Sequence, residues 1–104
     1  MSAVVRQLLA ETRDGLKQVY GPRLRGLYLY GSYARNTPDP ESDLDVLIDR
    51  IDRYGAEVDK TGELASRVSL KYGITVSRVF AAEPEWQAGD SPFLNNVRPE
   101  AIPA

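Results

Sequence analysis

A short apolar run that ends at a glycine limits the folds open to this chain more than any other feature. It reads Gly26-Leu27-Tyr28-Leu29-Tyr30 and belongs to a segment, Leu24 to Tyr30, in which both faces of an extended chain would be apolar. A strand of this kind is stable only when protein covers it on both sides. The run therefore predicts a central strand in a sheet with further layers packed against it.

The segments around this strand have the patterns of helices and strands in alternation. Residues 2–20 carry apolar side chains at helical spacing, with Ser2 as the N-cap and Gly21-Pro22 as the stop. The remaining predicted elements are a strand over 43–51, a helix over 54–72 that ends at Gly73, a strand over 74–81, and a tail over 83–104 whose four prolines leave room only for short helical turns. A tight loop makes the first two strands antiparallel, and the helix before the third makes a crossover.

This order predicts an α/β (α+β) fold, a small mixed sheet flanked by helices, and one domain spans residues 1–104 because domains centre on roughly 100–150 residues. No apolar run approaches the roughly 18 residues of a membrane span, and no signal-peptide core is present. We therefore expect a cytoplasmic protein without a membrane contact. The exposed edges of so small a sheet leave both self-association and pairing with a partner open.

Two residue types are missing from the sequence, and their absence excludes whole classes of chemistry. Without cysteine there are no disulfides, thiolate zinc sites or thiol nucleophiles, and without histidine there is no Ser-His-Asp or Cys-His hydrolase. Carboxylates, hydroxyls, basic side chains, backbone amides and hard cations such as Mg²⁺ remain. The 13 Lys and Arg against 15 Asp and Glu give a net charge of −2, which argues against direct nucleic-acid binding.

Gly31 and Ser32 directly follow the central strand. A glycine there lets the chain turn sharply and lets an anion approach the backbone, and Ser32 adds a hydroxyl beside free amides. Arg35 lies one turn further on and can add a charge-assisted hydrogen bond to the same anion. This corner suits phosphate oxygens, although a Gly-Ser pair after a strand is more often only a turn.

Asp43 and Asp45 begin the second strand. Because side chains alternate along a strand, both carboxylates lie on one face, about 6.5–7 Å apart along the chain. Two such carboxylates can share a pair of Mg²⁺ ions, the arrangement that supports in-line phosphoryl and nucleotidyl transfer. The alternative is an ordinary solvent-facing surface, which Asp49 on the same face favours.

The combination is more specific than either part. Ten residues separate Ser32 from Asp43, so the pattern is Gly-Ser, ten residues, Asp-x-Asp. With each residue type at roughly one position in fifteen, four fixed positions match by chance about once per 50,000 starting points. Chance alone is therefore a poor explanation for the pair of motifs.

At these residues the chain resembles a known family, the minimal nucleotidyltransferases (MNT domains) of the DNA polymerase β superfamily. The resemblance rests on GSYARNTPDPESDLDVLI, Gly31 to Ile48, and extends from the first helix to about Phe80. It implies the polymerase β-like nucleotidyltransferase fold, ATP as substrate and a two-ion Mg²⁺ site. Many members pair as antitoxins with HEPN-domain toxins, some by transferring AMP to a tyrosine of the toxin.

Carried over by position, the resemblance assigns nucleotide binding to Gly31, Ser32 and Arg35, and it makes Asp43 and Asp45 the catalytic metal ligands. The position after Arg35 is commonly glycine in the family. Here it is Asn36, which tolerates a left-handed backbone best after glycine.

A second departure divides the functional hypotheses. Active members usually carry a third carboxylate on the strand after the crossover helix, whereas residues 74–80 of this chain contain no acid. One hypothesis is a Mg²⁺-dependent transferase that uses two carboxylates, with a protein acceptor such as a HEPN toxin because a chain of this size has no separate nucleic-acid-binding domain. The other is an antitoxin of the same fold that neutralises its partner by contact alone.

Overall fold

The computed structural model describes residues 1–51 and 56–104, with side chains outside the description at 56–59. The elements are the helices α1 (Ala3–Tyr20), α2 (Ala56–Tyr72), α3 (Glu83–Ala88) and α4 (Pro92–Val97) and the strands β1 (Leu24–Tyr30), β2 (Leu44–Arg50), β3 (Val76–Ala82) and β4 (Ile102–Pro103). The predicted start of the second helix at residue 54 lies outside the described residues. The other predicted helices and strands are found within one or two residues of their expected ends.

The four strands form one mixed sheet in the order β3-β2-β1-β4. β1 and β2 are antiparallel, and β2 and β3 are parallel, so α2 is the predicted crossover. Strand β1 lies between β2 and β4 and has the central position that its apolar residues require. The expected fold class, a small mixed sheet flanked by helices, is confirmed.

Helices α1 and α2 cover one face of the sheet. The side chain of Ser2 accepts a hydrogen bond from the amide of Val5 at 3.2 Å and caps α1 as predicted, and Gly73 has the left-handed backbone (φ +68°) expected of a residue that follows a helix. A Cβ atom on Gly15 would lie 2.5 Å from Leu64, so the two helices can approach closely only because residue 15 has no side chain. The larger part of the apolar core lies between these helices and the sheet.

The C-terminal tail covers the other face. The core on this side consists of Leu47, Ala81, Leu94 and Val97, and Trp86 packs on Tyr28 with ring centroids 4.6 Å apart. Arg98 donates hydrogen bonds of 2.7 Å to three backbone carbonyls at the end of α3, those of Glu85, Trp86 and Gly89. These bonds supply donors to carbonyls at a helix end, of which that of Glu85 also accepts from the amide of Gly89, and they connect the two short helices.

The tail contains more regular structure than its prolines predict. The short helical turns expected there are α3 and α4, but the short strand β4 is an addition that pairs Tyr28 with Pro103 and Leu29 with Ile102. The edge position tolerates the proline because no further strand needs its missing N–H. No helix in the described part of the chain is long and apolar enough to cross a membrane.

Candidate active site

The predicted site residues lie on two segments that meet at one end of the sheet. Gly31 begins the turn after β1, and Asp45 of β2 is paired with Tyr30, the last residue of β1. Asp43 immediately precedes β2 and therefore lies at the same end. Because paired antiparallel residues are only about 5 Å apart, the turn and the two aspartates form one corner of the molecule.

In this corner Gly31 lies close to the carboxylate of Asp45. Its φ of +77° is a left-handed conformation that costs other residues about 1–2 kcal/mol. A Cβ atom on Gly31 would also collide with Oδ2 of Asp45. Glycine is needed here for the backbone and for space, and the turn predicted to bind an anion borders one of the predicted metal ligands.

The turn from residue 31 to residue 37 is closed by its own backbone. The amides of Arg35, Asn36 and Thr37 donate to the carbonyls of Gly31, Tyr33 and Ser32 at 3.1, 3.3 and 2.9 Å. Asn36 has φ +59°, the left-handed conformation for which its side chain is suited. Among the described residues, no hydrogen bond uses the hydroxyl or the amide of Ser32, so both can serve an anion.

Asp45 has an electrostatic environment that differs from that of an exposed aspartate. Burial raises the pKa of its carboxyl, the neighbouring charge of Asp43 raises it further, Arg35 lowers it, and Glu100 raises it. Burial also raises the pKa of Tyr30, and the charges of Asp45 and Glu100 add to that rise. Three acidic groups and one arginine therefore influence one another at this end of the sheet.

Glu100 is the residue of this group that is not among the predicted site residues. It follows α4 and accepts a hydrogen bond of 2.7 Å from Nη1 of Arg35, an ion pair that remains partly exposed to solvent. The two residues are 65 positions apart, and no local pattern marks either as a partner of the other. Only the return of the tail to the edge of β1 brings them together.

On the strand expected to carry a third carboxylate, the residue beside Asp45 is a serine. Asp45 of β2 pairs in register with Ser77 of β3, so the side chains of both residues lie on the same face of the sheet. Glu83, the next acid along the chain, lies beyond β3 and forms an ion pair of 3.2 Å with Arg25. It is therefore engaged away from the corner at Gly31.

The donors available for a metal ion are two carboxylates. Across residues 1–51 and 60–104, no group of three or more His, Cys, Asp or Glu side chains is placed to hold a metal. The pair Asp43 and Asp45 is a hard oxygen set that fits Mg²⁺, with water or substrate oxygens as the remaining ligands. The negative charge of Asp43 repels that of Asp45 and so raises the pKa of Asp45. A divalent cation bound between the two carboxylates would remove this repulsion.

Comparisons with known proteins agree with this geometry. The family model for the nucleotidyltransferase domain matches residues 9–81. A protein of Methanocaldococcus jannaschii is 32% identical over 75 residues, which are 72% of this chain and 71% of the relative. That protein is named a putative protein adenylyltransferase.

Solved structures have the same fold. An MNT antitoxin in complex with a tri-AMPylated HEPN toxin of Shewanella oneidensis aligns with a TM-score of 0.63 and 17% identity, over 94% of this chain and 69% of that one. A minimal nucleotidyltransferase aligns with a TM-score of 0.61 and 24% identity, over 95% of this chain and 94% of that one. The protein belongs to the nucleotidyltransferase domain family and has the fold of its minimal members.

Proposed function

We propose that this nucleotidyltransferase transfers AMP from ATP to a hydroxyl group of a partner protein in a Mg²⁺-dependent reaction. The observation that carries the proposal is the contact between Gly31 and the carboxylate of Asp45. It joins a turn suited to phosphate and a carboxylate suited to Mg²⁺ within a few ångströms, as nucleotidyl transfer requires. The absence of histidine is consistent with a reaction that needs no imidazole base.

Each side chain has a distinct task in this proposal. The amide and hydroxyl of Ser32 bind phosphate oxygens of ATP, and Gly31 lets them approach the backbone. Asp43 and Asp45 hold Mg²⁺, which supplies charge neutralisation and lowers the pKa of the attacking hydroxyl. The acceptor oxygen forms a bond to the α-phosphorus, the bond to the bridging oxygen breaks, pyrophosphate leaves, and the hydroxyl proton passes to solvent.

The partner in this proposal is a HEPN-type toxin that presents the acceptor hydroxyl. Two similarities support it: the name of the Methanocaldococcus relative refers to adenylylation of a protein, and the Shewanella neighbour is an antitoxin bound to a tri-AMPylated toxin. The net charge of −2 also makes a nucleic acid a poor acceptor. In this proposal the covalently attached AMP group neutralises the toxin.

The test is transfer of label from ATP to the partner. The protein is incubated with ATP labelled at the α-phosphate, Mg²⁺ and the product of the adjacent gene, and the experiment is repeated with the double variant Asp43→Asn, Asp45→Asn. We expect a labelled partner with the wild type and none with the double variant. Asp14→Asn, which changes an exposed aspartate of α1, is the matched control and should transfer like the wild type. A partner that stays unlabelled while its toxicity is still neutralised would refute the proposal.

One observation favours a second candidate, a non-catalytic antitoxin that acts by contact. Ser77 is the residue beside Asp45 on the strand where a third acid is expected, and a hydroxyl is a poor Mg²⁺ ligand and no base near neutral pH. In that case the double variant would neutralise the toxin to the same extent as the wild type does. The same two measurements therefore separate the candidates.

A further inference from the structure

Arg35 lies beside Glu100 and close to the corner that holds the aspartates. Its Nη1 donates to Glu100 at 2.7 Å, and its backbone amide donates at 3.1 Å to the carbonyl of Gly31, the residue that borders the carboxylate of Asp45. Among the described residues, the one ion pair of Arg35 is with Glu100. The arginine is therefore held on one side although a second acidic group lies close by.

An arginine that collapsed onto the aspartates would disable the site. A guanidinium beside two carboxylates forms strong charge-assisted hydrogen bonds with them and occupies the same oxygen atoms that a divalent cation needs. Asp43 is exposed and Asp45 is only half-buried, so nothing in their packing excludes such a contact. Among the described residues Arg35 nevertheless pairs with Glu100 and with neither aspartate.

Glu100 has the properties of a competing acceptor. Its backbone amide donates to the carbonyl of Val97 at 3.1 Å, and it lies between α4 and β4, so its position is fixed at both ends. Its side chain is 26% exposed, against 56% for Arg35, so the pair is shielded from water on the Glu100 side. A partly shielded ion pair with a fixed acceptor is stronger than one with a mobile exposed partner.

We propose that Glu100 is a positioning residue: it holds Arg35 away from Asp43 and Asp45 and so keeps these carboxylates open to a divalent cation. The inference rests on the proposed nucleotidyl-transfer site and adds to it a residue from the tail that pairs with Arg35. Glu100 itself binds neither the cation nor the nucleotide in this role. It acts entirely through the position of Arg35.

The test measures cation binding without nucleotide or partner, by titration with Mn²⁺ and detection of free Mn²⁺ by electron paramagnetic resonance. Four proteins form a double-mutant cycle: the wild type, Glu100→Gln, Arg35→Met and the double variant. We expect Glu100→Gln to weaken Mn²⁺ binding about three- to tenfold, because the released arginine competes with the cation. Arg35→Met should change binding by less than about twofold in the wild type but restore it in the Glu100→Gln background.

The cycle distinguishes positioning from a simple effect of charge. If Glu100 and Arg35 act only through their charges, Arg35→Met strengthens Mn²⁺ binding by the same factor in both backgrounds, and that result overturns the inference. Glu11→Gln, which removes the acceptor of an exposed ion pair with Lys71 on the helical face, is the control and should leave Mn²⁺ binding unchanged. Glu100→Asp, which keeps the charge but shortens the side chain, provides a second variant should Glu100→Gln fold poorly, and it should also weaken binding.

The inference and the proposed function fail in different ways. A coupled cycle without label transfer to the partner would support the position of Arg35 and refute the transferase. Label transfer with additive effects in the cycle would support the transferase and refute the role of Glu100. A wild type that binds no Mn²⁺ at millimolar concentration would overturn the inference whatever the labelling shows.

Discussion

Asp49 is a buried carboxylate, one of whose oxygens has no hydrogen-bond partner among the described residues, and its replacement gives a pH-dependent prediction of stability. The side chain is 3% exposed in the middle of the sheet, and Oδ1 accepts no hydrogen bond from the described residues. Burial first, and then the charge of Glu83, raises the pKa of Asp49 from 3.8 to about 6, against a smaller lowering by Arg25 and Arg50. The ionised form is therefore disfavoured in the folded protein.

The sign and size of the effect follow from linkage. A carboxyl whose pKa is higher in the folded state favours folding while it is protonated, so its cost is absent below pH 3.8 and fully present above pH 6. A rise from 3.8 to about 6 corresponds to about 3 kcal/mol at pH 8 and about half of that at pH 5. Asparagine has nearly the same shape and no charge, so Asp49→Asn removes this cost.

Chemical denaturation of the wild type and Asp49→Asn at a series of pH values measures the difference directly. We expect the variant to be more stable by about 3 kcal/mol at pH 8, or roughly 14 °C in Tm, with the difference falling to near zero below pH 4. Asp14→Asn, on an exposed position of α1, should change stability by less than about 0.5 kcal/mol at every pH. A difference for Asp49→Asn that is constant between pH 4 and pH 8 would refute the reasoning, since a loss of packing or hydrogen bonding carries no such slope.

Three further substitutions test the site and the tail. Gly31→Ala should destabilise the fold by about 1–2 kcal/mol and abolish AMP transfer, because it strains a left-handed residue and displaces Asp45. Gly73→Ala is the control: its φ is +68° but the space around it is open, so it should lower stability alone. Denaturation measures the stability of both variants, and labelling measures AMP transfer. Arg98→Met should cost about 2–3 kcal/mol in denaturation, since it removes the side-chain donor to the carbonyls of Trp86 and Gly89 and one of the two donors to the carbonyl of Glu85. Hydrogen exchange should speed up in α3 and α4 before the sheet. Ser77→Asp adds a carboxylate beside Asp45 and should tighten Mn²⁺ binding about tenfold, as measured by the Mn²⁺ titration described above. Unchanged binding would show that Ser77 does not face the cation site.

The parts of the fold that depend on local chemistry were predictable from the sequence. The bounds of β1 coincide with the apolar segment, and Ser2 and Gly73 end their helices as their residue types require. The meeting of Gly31 with Asp45 was also predictable, because two strands joined by a short loop bring the end of one beside the start of the other.

Features that depend on the return of the tail were not predictable in this way. Alternation places Asp49 on the polar face of β2, which suggested exposure to solvent, but α3 and α4 cover that face and bury it. Strand β4 has only two residues, one of them a proline, and carries no pattern of its own. Its partner in β1 determines its conformation, so only the tertiary structure reveals it.

The tail therefore links the stability of the sheet to the chemistry of the proposed site. Its helices supply the second apolar layer that the central strand β1 requires, and the same chain then places Glu100 beside Arg35. A substitution that loosens the tail, such as Arg98→Met, should release Glu100 as well and weaken Mn²⁺ binding in the direction of Glu100→Gln. Adding Arg35→Met to Arg98→Met should restore that binding without restoring stability, because it removes the competing cation but does not replace the hydrogen bonds that Arg98 made to the end of α3. Restored stability, or binding that stays weak, would show that the tail affects the site by another route.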